Sequence, residues 1–346
     1  VCVSYHLNAL PVKHPHSFSP GRYTFCDWDK VRLVKDYTPS DDDTGIVFVS
    51  TRHYFPQRRE FLDHGLDTSA FHYFTIYFNH NKWICVPKNS FKEAYSDANP
   101  GNDVVVYAEG LGKTFTSALD RATRVTRTYG VSIIMFDWAT FNPLLKGGQN
   151  FRSTKRNSRI AARSFAALID TMHYLKARDE STFGHLTLFM HSMGNLLMMH
   201  AVKQNYLKVN EILFDNVVLN AACVPQRKHK HWVEAIKMQD KLYITRNNHD
   251  RNLNAAKIAS LFQRQLGERP RGPYASNAIY INFSNVLSME HNYFLYDNVW
   301  REKPQIEQIY QDIFHGSGLS FEDEKKFRRR KNTVEVVKNT FERRGV

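Results

Sequence analysis

Cysteine is scarce: Cys2, Cys26, Cys85 and Cys223 are the four in 346 residues. They lie far apart and form no C-x-x-C pair, which argues against a zinc or dithiol motif and leaves isolated core thiols as the simpler reading. Long apolar runs are missing too. None approaches the roughly 20 residues needed to cross a bilayer, so no transmembrane segment is expected and the chain reads as soluble. Internal repeats and low-complexity tracts are absent, which excludes solenoids, propellers and extended linkers. The chain opens Val1-Cys2 rather than with methionine, an opening consistent with removal of an upstream targeting segment.

Acid is also in short supply, with 34 Asp and Glu against 47 Lys and Arg and a formal charge of +13. That balance suggests nucleic acid until the charges are located. Lys146 to Arg163 carries six Lys or Arg and no acid, Lys325 to Val346 carries nine and two acids, and the remainder is neutral. One solvated basic loop and a charged tail account for the excess without a nucleic-acid partner. With 42% hydrophobic residues, a chain of this length buries one large core.

Periodicity organises that core. Residues 1–45 hold four prolines, Pro11, Pro15, Pro20 and Pro39, and the acidic run Asp41-Asp42-Asp43, with little periodicity, and read as an irregular arm. Gly45 to Ser50 is the first convincing strand, and Phe71 to Phe78 with Lys82 to Val86 reads as a hairpin turning through Asn79-His-Asn81. Strands at 104–108, 131–136, 186–190, 216–220, 241–246 and 278–283 then alternate with helices at 115–129, 158–176, 253–266 and 305–314. Strand and helix in alternation predict parallel pairing through right-handed crossovers. Phe141 to Asn157 reads as a basic loop broken at Gly147-Gly148, and the stretch from Ser320 onward as a charged helical tail. The predicted organisation is an arm over 1–45, a domain over 46–318 and a tail over 319–346.

The chemistry is concentrated in His185-Leu-Thr-Leu-Phe-Met-His-Ser-Met-Gly-Asn-Leu-Leu197, where a short apolar strand ends in a serine and a helical pattern begins. A serine at such a junction sits on a strained turn with its hydroxyl exposed above the sheet edge. Gly194 supplies the small residue the turn needs on its far side, whereas Met190 stands where G-x-S-x-G wants its first glycine. Serine is a poor nucleophile at its free pKa and needs a histidine to take its proton and a carboxylate to orient that ring. Asp250 and His291 each follow a later strand, in the order nucleophile, acid, histidine, so all three loops emerge at one sheet edge. Glu290 and Asp297 are nearby carboxylates, but neither directly follows a strand.

These pieces resemble the α/β-hydrolase superfamily, and within it a largely uncharacterised group of bacterial serine-hydrolase-like proteins. The resemblance runs from about Gly45 to Phe314, through Phe48-Val-Ser-Thr-Arg52, Glu109-Gly110, Phe136-Asp-Trp138, His191-Ser-Met-Gly-Asn195, Asn220-Ala-Ala222, Asn248-His-Asp250 and His291-Asn-Tyr-Phe294. It implies an α/β fold, a central mostly parallel sheet with helices on both faces, and a serine esterase or other acyl hydrolase. Ser192 would be the nucleophile, Asp250 the acid and His291 the base, with no metal or cofactor. The backbone N–H of Met193, with that of Gly110 or Leu111, would form the oxyanion hole. Glu109, where the superfamily usually has histidine, would then lie beside the developing charge and oppose it, and loss of one oxyanion donor costs about 2.7–4 kcal/mol. Arg152, Lys155 and Arg156 are expected to border the mouth and bias the site toward a small anionic ester or a membrane-surface lipid.

Two rivals follow from the same residues. Tyr107-Ala-Glu-Gly-Leu-Gly-Lys-Thr114 matches the P-loop G-x-x-x-x-G-K-[ST] everywhere except its first glycine, and Asp137 would stand for the magnesium-binding aspartate. A nucleotide site gives no reason for Ser192, Asp250 and His291 to fall where they do. Glu109 and the basic tail favour the second rival, a hydrolase-fold binding protein with weak or no activity.

Overall fold

Strand formation follows an alternation of apolar side chains that buries both faces at once. The computed structural model describes residues 30–337 apart from 41, 42, 44, 56–59, 143, 179–182 and 296–302. In chain order the elements are β1 (Val31–Leu33), β2 (Gly45–Ser50), β3 (Arg52–Phe55), β4 (Glu60–Leu66), β5 (His72–Asn79), β6 (Lys82–Lys88), α1 (Phe91–Ala98), β7 (Asp103–Ala108) and α2 (Phe115–Tyr129). They continue with β8 (Ser132–Asp137), α3 (Gly147–Ala177), β9 (His185–His191), α4 (Asn195–Lys203), β10 (Phe214–Asn220), α5 (His229–Val233) and β11 (Gln239–Arg246). The chain then closes through α6 (Arg251–Ala259), β12 (Ile279–Asn282), α7 (Pro304–Phe314), β13 (Phe327–Arg330) and β14 (Thr333–Val336).

Twelve of these strands form one sheet in the order β1-β6-β5-β2-β8-β7-β9-β10-β11-β12-β14-β13. From β2 through β14 every pairing is parallel, and antiparallel pairing is confined to β2-β5-β6 and to β13-β14. The six strands expected after residue 100 all lie in this sheet. Val104, Val106 and Ala108 of β7 pack with Phe165, Leu197, Trp232 and Leu253 on one face. Val105 and Tyr107 meet Phe115, Leu119, Ile309 and Phe314 on the other. Helices α1, α3, α4, α5 and α6 therefore cover one face, and α2 with α7 cover the other, an α/β architecture with two buried layers.

Three expectations change. Residues 327–336 form the hairpin β13-β14, not a helix, and β14 pairs in parallel with β12, so the sheet runs past residue 318. Val334 and Val336 are fully buried while Thr333 and Glu335 are less so, a period of two that the surrounding Lys and Arg obscured. The rest of that tail, 338–346, and the arm over 1–29 lie outside the described residues. Within 30–45 the chain supplies edge strand β1, parallel to β6. Finally, the basic stretch read as a loop to Asn157 is helical from Gly147. Gln149 Oε1 accepts the Lys146 N–H at 3.0 Å, and Asn150 Nδ2 donates to the carbonyls of Asn142 and Leu145, which secures a first turn that two glycines alone would not. No helix among the described residues is long and apolar enough to cross a membrane.

Candidate active site

Ser192 follows β9 and opens a single 3-10 turn, Ser192–Gly194, that leads into α4. Its φ is +53°, a left-handed conformation that an L-residue adopts only under constraint. Two features impose it. A Cβ on Gly194 would stand 2.5 Å from the Ala108 carbonyl oxygen, so only glycine lets the turn close against β7. Asn195 Nδ2 donates to the carbonyls of Met190 at 2.9 Å, Ser192 at 3.0 Å and Asn220 at 3.3 Å, tying both sides of the turn to the next strand. Nothing in the sequence marks Asn195 beyond its place in the motif.

Asp250 follows β11 and caps α6. Its Oδ1 accepts the N–H groups of Asn252 at 2.8 Å and Leu253 at 3.0 Å, which leaves Oδ2 for the His291 ring, whose Nδ1 lies 2.6 Å away. The carboxylate is fully buried and the histidine nearly so. Asn247 holds the two loops in register, its Nδ2 donating to the carbonyls of Ser288 at 2.9 Å and Glu290 at 3.1 Å. Glu290 itself is turned away, its carboxylate accepting the Ser288 N–H at 2.6 Å. The His291 loop reaches the serine turn at two points: His191 Nε2 donates to Asn292 Oδ1 at 2.8 Å, and the rings of His191 and His291 lie 4.8 Å apart.

The loop after β7 crosses directly over Ser192. A Cβ on Gly110 would fall 2.7 Å from the Ser192 Cβ and 3.0 Å from its Oγ, so glycine is required there. The Gly110 N–H, however, donates to Glu109 Oε1 at 2.9 Å, which removes it from the candidate oxyanion donors. The N–H of Leu111 takes no acceptor among the described residues, and that of Met193 is the first of its turn, where no partner exists within the turn.

Glu109 is buried and its carboxylate is paired within the protein. Its Oε2 accepts from the Tyr107 hydroxyl at 2.5 Å and lies 3.4 Å from Arg121 Nε, with His191 Nε2 3.7 Å from Oε1. Burial opposes its charge, but Arg121 and the other nearby positive groups outweigh burial and hold the carboxyl well below the usual range. Glu109 is thus a buried, paired carboxylate. His191, between Asn220 Nδ2 at 3.0 Å and Asn292, stays neutral, since burial pushes its imidazole down to about 3 against the pull of Glu109. The unfolded chain takes up a proton near 6.5 that the folded one refuses until about 3, so stability falls as pH drops through that window. His200, held down to about 4 by burial, acts in the same sense, and Glu109 adds to it below about 4.5. Urea midpoints are expected to decline steadily between pH 7 and pH 4, each such group contributing up to about 1.4 kcal/mol per pH unit. A flat profile would contradict the buried neutral histidines.

The phosphate-cradle rival does not survive this geometry. A P-loop needs open backbone donors, yet Gly112 N donates to the Thr140 carbonyl, Lys113 N to Thr140 Oγ1 and Thr114 N to Ser117 Oγ. Asp137 is engaged as well, its carboxylate held by Arg52 Nε and Nη2 at 2.8–3.0 Å. Arg152, Lys155 and Arg156 are exposed on α3, and of the three Lys155 is close enough to act electrostatically on Cys223. Burial pushes the Cys223 thiol up to about 12, so it is no rival nucleophile, although its N–H donates to the Ser192 carbonyl at 3.0 Å. Among the described residues no group of three or more His, Cys, Asp or Glu has metal-holding geometry.

Comparison with known proteins agrees with the fold. Residues 88–311 match the family profile described as an alpha/beta hydrolase of unknown function, DUF900. No curated protein sequence matches the chain. Solved structures that it resembles include DphMB1, at 11% identity over 71% of this chain and 82% of that one, with a TM-score of 0.34. Another is a serine-to-alanine variant of LAE6, an alpha/beta hydrolase enzyme from the metagenome of Lake Arreo, Spain, at 8% identity over 72% and 78%, with a TM-score of 0.35. A third is an arylesterase at 12% identity over 82% and 88%, with a TM-score of 0.31. Likeness at this level carries no argument about substrate, and the assignment rests on the family match together with the sheet order: the chain belongs to the DUF900 family of α/β hydrolases.

Proposed function

We propose that the protein is a serine acyl hydrolase that cleaves a small ester through Ser192, His291 and Asp250. The observation that carries this reading is the buried Asp250–His291 pair, 2.6 Å apart, whose imidazole lies 4.8 Å from the ring of His191, the residue before a left-handed serine. With Nδ1–H given to Asp250, the free Nε2 of His291 takes the Ser192 proton as Oγ attacks the acyl carbonyl. The resulting oxyanion is met by the N–H groups of Met193 and Leu111. As the intermediate collapses the C–O bond to the alcohol breaks, and His291 passes the proton to that leaving oxygen. Water, deprotonated by the same nitrogen, then attacks the acyl-serine carbon and releases the carboxylic acid with Ser192 restored. The wall carboxylate Glu109 does not argue for an inactive binding protein, because Arg121 and Tyr107 absorb its charge.

A fluorophosphonate probe tests the reading directly. Covalent labelling of the parent is expected, and its loss in Ser192→Ala with no change in the unfolding midpoint. Labelling that persists in Ser192→Ala, or a folded parent that never labels, would remove the nucleophile from this account.

A further inference from the structure

The segment between the acid and β12 makes an excursion of its own. It leaves at Asp250, runs through α6, turns at residues 260–263, and returns to Gly267, whose carbonyl accepts the Asn247 N–H at 2.9 Å. The return leg is pinned to the loop after β10 by the bonds Leu266 N to Val224 O and Gln226 N to Arg264 O. At the tip Leu261 is 88% exposed, Phe262 75% and Ile258 64%, an apolar group close together in sequence and largely open to solvent. Leu261 and Phe262 are moreover both left-handed, with φ of +54° and +63°. Glycine or asparagine ordinarily fills such positions, and two bulky apolar residues are costly there in both backbone energy and hydration.

The surroundings of the tip are cationic. Arg251, Arg269 and Arg271 are exposed and Arg264 half-buried, whereas Glu268, the one acid between Arg251 and Arg271, is buried and paired with Lys257 at 2.9 Å. Helix α3 packs against α6 and adds exposed Arg152, Lys155, Arg156, Arg159 and Arg163 with no acid in between. Exposed apolar residues on a segment that also carries exposed arginines, next to a basic helix, match the layering of an anionic membrane surface, where acyl chains lie below phosphate. We infer that the α6 tip, Ile258 with Leu261 and Phe262, inserts into an anionic lipid surface while the exposed arginines of this segment and the basic face of α3 contact the headgroups. The inserted tip stands one nine-residue helix, about 13 Å, from Asp250, so docking would bring the candidate site to lipid.

The test is flotation of the full chain with vesicles of phosphatidylcholine alone or containing phosphatidylglycerol, using Ser192→Ala protein so that no turnover is involved. The docking readout therefore stands or falls apart from the hydrolase reading. Binding to the anionic vesicles is expected, weaker on neutral ones and weaker again when salt rises to about 0.5 M. Leu261→Asn/Phe262→Asn, a pair that left-handed backbone accepts well, is expected to lower partitioning at least about tenfold while leaving the protein folded. Arg152→Gln/Lys155→Gln/Arg156→Gln should lower it as well and flatten the salt dependence. Equal flotation of the asparagine pair and its parent would overturn the proposal, as would a folded parent that ignores anionic vesicles. A dimer by light scattering that the asparagine pair abolishes, without vesicle binding, would assign the tip to self-association. Duplex DNA binding untouched by the asparagine pair, again without vesicle binding, would make these basic residues a polyanion surface.

Discussion

Asp250→Asn is expected to reduce ester turnover by about 10⁴-fold, a smaller loss than that from Ser192→Ala, while leaving the fold intact. The reason lies in the two oxygens of Asp250. Oδ1 caps α6 through Asn252 and Leu253, and asparagine caps a helix as well as aspartate does, so α6 keeps its first turn. Oδ2 faces His291 Nδ1, and an amide donor in its place forces the imidazole to carry its proton on Nε2, where the base needs a lone pair. Asp250→Ala would lose the cap as well, so the asparagine variant separates catalysis from stability. Turnover of a short-chain p-nitrophenyl ester, read with urea unfolding, makes the comparison. A loss below about tenfold in a folded Asp250→Asn protein would mean that the orienting acid is another residue.

The repetitive parts of this chain were legible from residues alone, because alternation in strands and amphipathic spacing in helices are local. Leu186, Leu188 and Met190 face one layer and Phe189 the other, a pattern visible before any coordinates. The serine turn was legible because its glycine and its apolar strand adjoin, and Asp250 and His291 because each follows a strand. What could not be read depends on partners distant in sequence. Arg121 looks like the exposed arginine of an amphipathic helix, and only the packing of α2 beside Phe294 and β7 turns it onto Glu109. Asn247 and Asn195 are unremarkable in a loop and a helix start until the carbonyls they bind are known. Phe327 to Val336 has a helix-friendly composition, yet pairing with the exposed edge of β12 overrides propensity. Glu109 was expected to oppose the oxyanion as a free charge, because sequence gives its neighbours in the chain but not Arg121 and Tyr107, which hold its carboxylate.

That pairing makes Glu109→Ala the substitution with the largest expected effect on stability, about 3–5 kcal/mol. The carboxylate is the ionic partner of Arg121 and the acceptor for both the Tyr107 hydroxyl and the Gly110 N–H, and all of these groups are removed from water. Deleting it takes a carboxylate from a buried guanidinium, and the Phe294 ring 5.5 Å away offsets only a small part of that loss. Glu109→Gln keeps an acceptor for Tyr107 and is expected to cost less. It should also flatten the part of the acid-stability profile below about 4.5, because the depressed Glu109 pKa contributes stability above that range that is lost as pH falls. Urea unfolding of the two variants at pH 7 and pH 4 provides the measurement, and Glu109→Ala costing under about 1 kcal/mol would show that the pair is hydrated. Turnover by the glutamine variant addresses the chemistry. Were the carboxylate opposing the oxyanion, removing its charge would raise kcat; as a charge already absorbed by Arg121 whose oxygen holds the Gly110 backbone over Ser192, its loss should leave kcat unchanged or lower it.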